Sequence, residues 1–174
     1  MLVTYTRNST ALVTLHEKRG GMWKKVGRGD AVVGRNGIGK ERDGDGRTPS
    51  GEFRLSTPFG IREDPGSAMP YTRLTPYHYW CAVSGDMYFN RLVDERAAGR
   101  ARTAKDESLF EKSPYYDYAM FVEYNMQDEA GKGSCIFLHC KGYPDCTSGC
   151  IAVNRAFMVD IIRWAREGTM IVIR

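Results

Sequence analysis

The sequence predicts a mostly β domain with a few helices, and three observations carry that prediction. Two alternating runs are joined by a Gly20-Gly21 turn, several short apolar runs of strand length are bounded by turn-forming residues, and one stretch near the C-terminus has helical spacing. A length of 174 residues suits a single domain over residues 1–174, large enough to bury a core without staples. Hydrophobic residues make up 42% and charged residues 26%, and no run approaches the roughly 18 apolar residues of a membrane span. The formal net charge of +4 is spread along the chain, with no basic helix or aromatic-basic stripe to suggest nucleic acid, although it would suit an anionic polymer. Residues 1 to 20 lack a charged start followed by an apolar core, so no signal peptide is readable in this chain.

Taken in order, Thr10 to Lys18 alternates, with Leu12, Thr14 and His16 on one side and Ala11, Val13 and Leu15 on the other. Gly20-Gly21 then leads into Met22 to Val26, a hairpin signal. His16, a lone strand histidine, receives no role. Ala31 to Gly34 reads as a separate short strand. Arg35 to Phe53 is too rich in glycine and charge for a regular element and reads as a long ordered loop or lid, with alternation resuming over Gly51 to Leu55. It is neither a phosphate-cradling loop, since no Ser or Thr follows Lys40, nor a calcium loop, since Asp43-Gly44-Asp45-Gly46 lacks the required ligand spacing. Pro58 to Pro76 reads as irregular surface, Tyr79 to Val83 as a strand, and Asp94 to Lys112 as either a solvated helix or a flap. Ala119 to Tyr124 forms another strand. Near the end, Asn154 can cap a helix whose Met158, Ile161, Ile162 and Ala165 fall at i, i+3, i+4 and i+7, and Gly168 stops it before a last strand at Thr169 to Ile173.

The chemistry is concentrated between Ser134 and Val153, which holds one imidazole and four thiols. Ile136-Phe137-Leu138 is a buried-strand run ending at His139; Lys141 to Thr147, with Gly142, Pro144 and Asp145, should cross the surface as a loop. Gly149 and Cys150 then precede the apolar Ile151-Ala152-Val153, which returns the thiol towards His139. A free cysteine is only a few per cent thiolate at neutral pH, and a neighbouring imidazole supplies the missing activation by taking the proton. Cys150 is therefore the candidate nucleophile and His139 its base, with a main-chain carbonyl near Cys140 orienting the ring. Main-chain N–H groups of Gly149 and Cys150 could meet a developing oxyanion, with Ser148 as a further donor. The chain has five cysteines, an odd number; Cys81 and Cys135 read as small core residues. A zinc module using His139, Cys140, Cys146 and Cys150 is the main alternative, but its spacing is poor and adjacent strand residues point to opposite faces. No metal or cofactor is expected.

Two stretches together, Gly34-Arg35-Asn36-Gly37-Ile38-Gly39-Lys40 running on through Asp43-Gly44-Asp45-Gly46-Arg47-Thr48-Pro49-Ser50-Gly51-Glu52-Phe53, and His139 followed by Thr147-Ser148-Gly149-Cys150-Ile151, resemble the L,D-transpeptidases of the YkuD type, in the branch with T-x-G-C. The similarity runs from about Val26 to the C-terminus. It implies a sandwich- or barrel-like β catalytic domain that joins or trims peptidoglycan stem peptides through a cysteinyl acyl-enzyme, works outside the cytoplasm, and is acylated by carbapenem-type β-lactams. The commoner S-H-G-C signature has a histidine where this chain has Ser148. Residues expected to contact substrate are Tyr88, Asn90 and Thr147. The alternatives to transpeptidation are L,D-carboxypeptidase action, with water as acceptor, and a wall-binding domain without turnover.

Overall fold

The computed structural model describes residues 1–143 and 145–174; Pro144, one of the residues expected to turn the loop after His139, lies outside the described residues. Twelve strands and two helices follow one another as β1 (Leu2–Arg7), β2 (Thr10–Arg19), β3 (Met22–Val32), β4 (Gly51–Gly60), β5 (Thr72–Arg73), β6 (His78–Trp80), β7 (Leu92–Asp94), α1 (Glu95–Ala98), β8 (Glu107–Ser108), β9 (Ala119–Val122), β10 (Phe137–Cys140), β11 (Ile151–Val153), α2 (Arg155–Trp164) and β12 (Met170–Ile173). The large sheet runs β12-β1-β2-β3-β11-β10-β9-β4-β5, and β12 also pairs with β4, so eight strands close into a barrel. Closure removes the open edges that a sheet of this size would otherwise present. A second sheet, β7-β6-β8, stands beside it.

The expected hairpin is β2–β3, with Ala11, Val13 and Leu15 on its buried side. The separate strand expected at Ala31 is instead the end of β3. Gly27 and Gly29 leave room for neighbours: a Cβ at Gly29 would lie 2.3 Å from the Phe157 ring of α2, and one at Gly27 2.9 Å from Leu15. The irregular surface expected from Pro58 begins later, because Pro58 to Gly60 are buried inside β4. A register shift between Ser56 and Pro58 lets the strand absorb a proline that cannot donate to the ladder. β1 carried no recognisable signal.

Strands β9 and β10 are buried on both faces. One face, through Met120, Val122, Leu138 and Cys140, joins the main core, to which α2 contributes Phe157, Met158, Ile161 and Ile162. The other, through Ala119, Phe121 and Phe137, packs with Phe59, Trp80, Leu109 and Tyr116 under the second sheet. Asn154 caps α2, its side chain accepting from the Phe157 N–H at 2.8 Å.

The second sheet is tied by Arg100, which donates to Asp86 at 2.7 Å, to the Tyr79 hydroxyl at 2.7 Å and to Asp106 at 3.0 Å. Burial alone would raise the Asp106 carboxyl, but Arg100, Thr103 and the Ala82 N–H outweigh it and hold it at about 2, against an ordinary 3.8. Since the folded value lies below the unfolded one, this contribution is complete above about pH 4 and is lost as pH falls through about 2. Acid titration followed by near-ultraviolet circular dichroism should therefore show tertiary structure failing in that window, and earlier in Asp106→Asn. An unchanged acid midpoint in the variant would contradict this.

Candidate active site

Parallel pairing of β10 with β11 sets Leu138 beside Ile151 and His139 beside Ala152. Cys150 therefore lies opposite Phe137, two residues from His139 on the neighbouring strand, and strand spacings of about 4.8 Å and 3.3 Å per residue put the two Cα atoms about 8 Å apart. Phe137 and His139 share the face turned towards the second sheet: Cys150 packs against the cluster containing Phe137, and the His139 ring meets Tyr116 edge-on at 5.7 Å. His139 and Cys150 both line one cleft of about 600 Å³. His139 is not the end of its strand, as the sequence suggested, but its third residue.

His139 is 6% exposed, and its Nδ1 lies 2.8 Å from the Cys140 carbonyl oxygen. A carbonyl only accepts, so Nδ1 carries the proton and Nε2 is left with its lone pair. Burial lowers the imidazole pKa, against the smaller opposing pull of that carbonyl, so the ring is a neutral base. Burial raises the Cys150 thiol to about 12, while the Phe137 N–H, 3.3 Å from Sγ, opposes that rise. The thiol in turn points at the Cys135 carbonyl at 3.4 Å. The resting pair is thus a protonated thiol, directed at the Cys135 carbonyl, and a neutral imidazole in the same cleft.

The turn before Cys150 is clamped from two sides. Thr147 Oγ1 donates to the Cys150 carbonyl at 2.6 Å, and Thr48 Oγ1 donates to the same oxygen at 3.1 Å. The glycine-rich loop reaches the turn directly, through Arg35 N to Thr147 O at 2.8 Å, Thr147 N to Val33 O at 2.9 Å, and Arg35 Nη1 to Ser148 Oγ at 3.3 Å. Gly34 is required by this approach: a Cβ there would come within 2.4 Å of the Gly46 carbonyl oxygen. Gly149, at φ +154, would likewise set a Cβ 3.0 Å from the Arg47 carbonyl oxygen.

Asp45 braces the loop from within. It accepts from the N–H groups of Glu41 (2.8 Å), Arg42 (3.1 Å) and Arg47 (2.9 Å) and from Lys40 Nζ (3.2 Å), whose side chain is only 3% exposed. Burial alone would raise this carboxyl, but those donors hold it well below the usual carboxylate range. Asp45→Asn should cost on the order of 3 kcal/mol, leaving Lys40 with an uncompensated buried charge. Its melting temperature should fall while the rate per folded molecule changes little; a rate collapse at unchanged melting temperature would refute this.

Of the residues read from the sequence, Ser148, Gly149 and Thr147 line the cleft with Cys150 and His139. The Gly149 N–H is given to Thr147 Oγ1 at 3.1 Å, so Thr147 braces the turn as well as facing the cleft. Cys140 serves through its carbonyl alone; its thiol lies in the main core and is raised by burial to about 11. That places it on the opposite face of β10 from Cys150, so the four ligands of the zinc alternative are not brought together. Asn90 is 1% exposed and out of a ligand's reach, its amide spent on Trp80, Tyr124 and the Cys135 N–H. Tyr88 packs against the cluster of Tyr79, Cys81 and Val93, away from the cleft lining. Cys81 is core as expected, but Cys135 lines the cleft in a left-handed conformation, φ 58, that nothing in the sequence signals. Sequence reasoning also missed Glu107, Lys112, Tyr115 and Tyr116, the wall that the Asp94–Lys112 segment and the residues after it build across the cleft. That segment begins with the short helix α1, none of whose residues is buried, and its later part runs along the cleft. Its Glu107 accepts from Tyr116 Oη at 2.9 Å and Lys112 Nζ at 2.6 Å.

Among solved structures, one from Bdellovibrio bacteriovorus, Bd1075, superposes with a TM-score of 0.52 at 19% identity. The match covers 99% of this chain and 46% of that one, so the chain spans about half the length of its structural relative, and at this identity the likeness speaks for the fold. No curated protein matches. The family model for the L,D-transpeptidase catalytic domain, YkuD, matches residues 6–173, nearly the whole chain, and with the paired motifs and the barrel already described this chain belongs to that family.

Proposed function

We propose that this protein cleaves and re-joins peptidoglycan stem peptides outside the cytoplasm through an acyl-enzyme on Cys150, with His139 as general base. The observation that carries the reading is the placement of Cys150, immediately before β11, and of His139 on the adjacent parallel strand β10, both lining one cleft, with the ring's Nδ1 committed to the Cys140 carbonyl. In the first half-reaction Nε2 takes the thiol proton as sulfur attacks the stem-peptide carbonyl carbon. The C–N bond then breaks, the proton passes from the imidazolium to the departing amine, and a thioester remains. An acceptor amine attacks the thioester and gives its proton to His139; the C–S bond breaks, and the imidazolium returns that proton to the departing sulfur, restoring the thiol. Water in place of the amine gives carboxypeptidase action by the same steps.

The developing oxyanion is met by the Cys150 N–H, joined by the Gly149 N–H once Thr147 releases it, and by the Ser148 hydroxyl held by Arg35. Ser148 thus stands where the commoner signature has histidine. Substrate contact falls to the cleft walls at Arg35, Glu107, Tyr115 and Thr147, in place of the buried Asn90 and the remote Tyr88. Incubation with tetrapeptide-stem muropeptides, with products read by mass, tests the proposal: cross-linked product marks a transpeptidase, a trimmed stem a carboxypeptidase, and unaltered substrate would end the reading.

A further inference from the structure

The distal half of the β2–β3 hairpin projects from the barrel. β1 pairs with β2 only as far as Thr14, and β11 pairs with β3 only at Ala31 and Val32, so among the described residues His16 to Lys25 form a two-stranded ribbon with both edges open. A bare ribbon buries little and is marginal by itself, and lysines on an open edge are a common guard against aggregation. That guard does not account for the large apolar side chains displayed there: Trp23 is 69% exposed and Met22 65%.

Register shows how they are arranged. Residues directly opposite in an antiparallel pair share a face, so the pairs Lys18↔Trp23 and His16↔Lys25 put an indole between two lysines, with a histidine beside them and no acid. The other face carries Arg19↔Met22 and Glu17↔Lys24, where Arg19 is paired with Glu17. Between Glu17 and Arg28 there are five basic residues and one acidic one. This aromatic-cationic face is invisible along the chain because its members come from two strands.

We infer that this face of the ribbon docks the polymeric wall: Trp23 stacks on the apolar face of a sugar ring while Lys18 and Lys25 pair with stem-peptide carboxylates. The inference rests on the peptidoglycan reading above. Charge complementarity selects an anionic partner, and the two large apolar residues lie on opposite faces, so the ribbon has no continuous apolar side to bury in a lipid surface. β3 runs ten residues from Val32, beside the catalytic strand, to Met22, so at about 3.3 Å per residue the tip stands roughly 30 Å from the cleft. A wall strand held at the tip is presented to the cleft at raised local concentration, an advantage that a short soluble fragment cannot share.

Trp23→Ala and the pair Lys18→Glu with Lys25→Glu should each weaken co-sedimentation with purified sacculi about tenfold, the scale of one lost anchor. Trp23→Phe should keep most of the binding. Melting temperature and turnover of soluble muropeptides should match the parent in every variant. Undiminished sacculus binding by Trp23→Ala and by the lysine pair would overturn the inference, as would ribbon-dependent binding to anionic phospholipid vesicles or duplex DNA without binding to sacculi. Ribbon-dependent sacculus binding by a parent protein that turns over no muropeptide would refute the acyl-transfer reading and leave the docking face standing.

Discussion

Cys150→Ala should lower kcat/KM for muropeptides by at least about 10⁴-fold, the scale on which loss of a nucleophile is felt, while the protein stays folded. Among the described residues the thiol makes two weak hydrogen bonds, with the Phe137 N–H and the Cys135 carbonyl, and the turn that carries it is held through its main-chain carbonyl by Thr48 and Thr147. Removing sulfur therefore leaves the hydrogen bonds that hold the turn in place. Cys150→Ser should be equally inactive, because an alcohol attacks far less readily than a thiol with the same base. Two further thiols, Cys135 and Cys146, line the same cleft and act as internal controls. Intact mass after treatment with a carbapenem-type β-lactam should show one adduct, mapped to Cys150 and absent from Cys150→Ala. Adducts confined to Cys135 or Cys146, or parental turnover by either variant, would mean that the wrong sulfur has been assigned.

Loss of His139 should be nearly as damaging, since a thiol held at about 12 by burial has almost no thiolate of its own at neutral pH. His139→Ala should fall within about tenfold of Cys150→Ala, and the double variant should be little worse than either, because groups acting as a unit do not contribute additively. Multiplying losses would show that the two side chains work separately. The pH profile carries a signed expectation. A base must be neutral, and burial lowers the imidazole from its ordinary 6.5, so kcat/KM should hold through pH 6.5 and fall only below it. An acid limb centred above 6.5 would contradict the assignment.

The parts of this molecule that were readable from the sequence are those whose pattern is local. Helix α2 announces itself through Asn154 and the spacing of Met158, Ile161, Ile162 and Ala165, and the β2–β3 hairpin through alternation about Gly20-Gly21. Cys150 and His139 come to one cleft because each adjoins a short apolar strand, and such strands pair in the core. The failures have a common physical origin in distant partners. The strand expected over Met22 to Val26 runs on through Gly27 and Gly29, which make space for Leu15 and Phe157, and Asn90, expected to contact substrate, spends its amide on Tyr124 and Cys135. Glu107 and Lys112 were hidden in a charged segment whose path depends on Arg100 gripping Asp86 and Asp106.

Ring closure also governs the order in which the protein can assemble. Leu2 and Val3 pair with Val172 and Ile173, and β12 completes the ring against Arg54 to Gly51, so the first and last strands must find each other before any seam is shut. Contacts so far apart in sequence are the slowest to form, because the chain between them must surrender its freedom first. The Cys150 carbonyl likewise awaits Thr48, more than a hundred residues earlier. A nascent or half-folded chain therefore holds its sulfur on an unclamped turn, away from a buried and correctly oriented ring. On the proposed reading, acyl transfer by Cys150 with His139 therefore awaits the finished barrel.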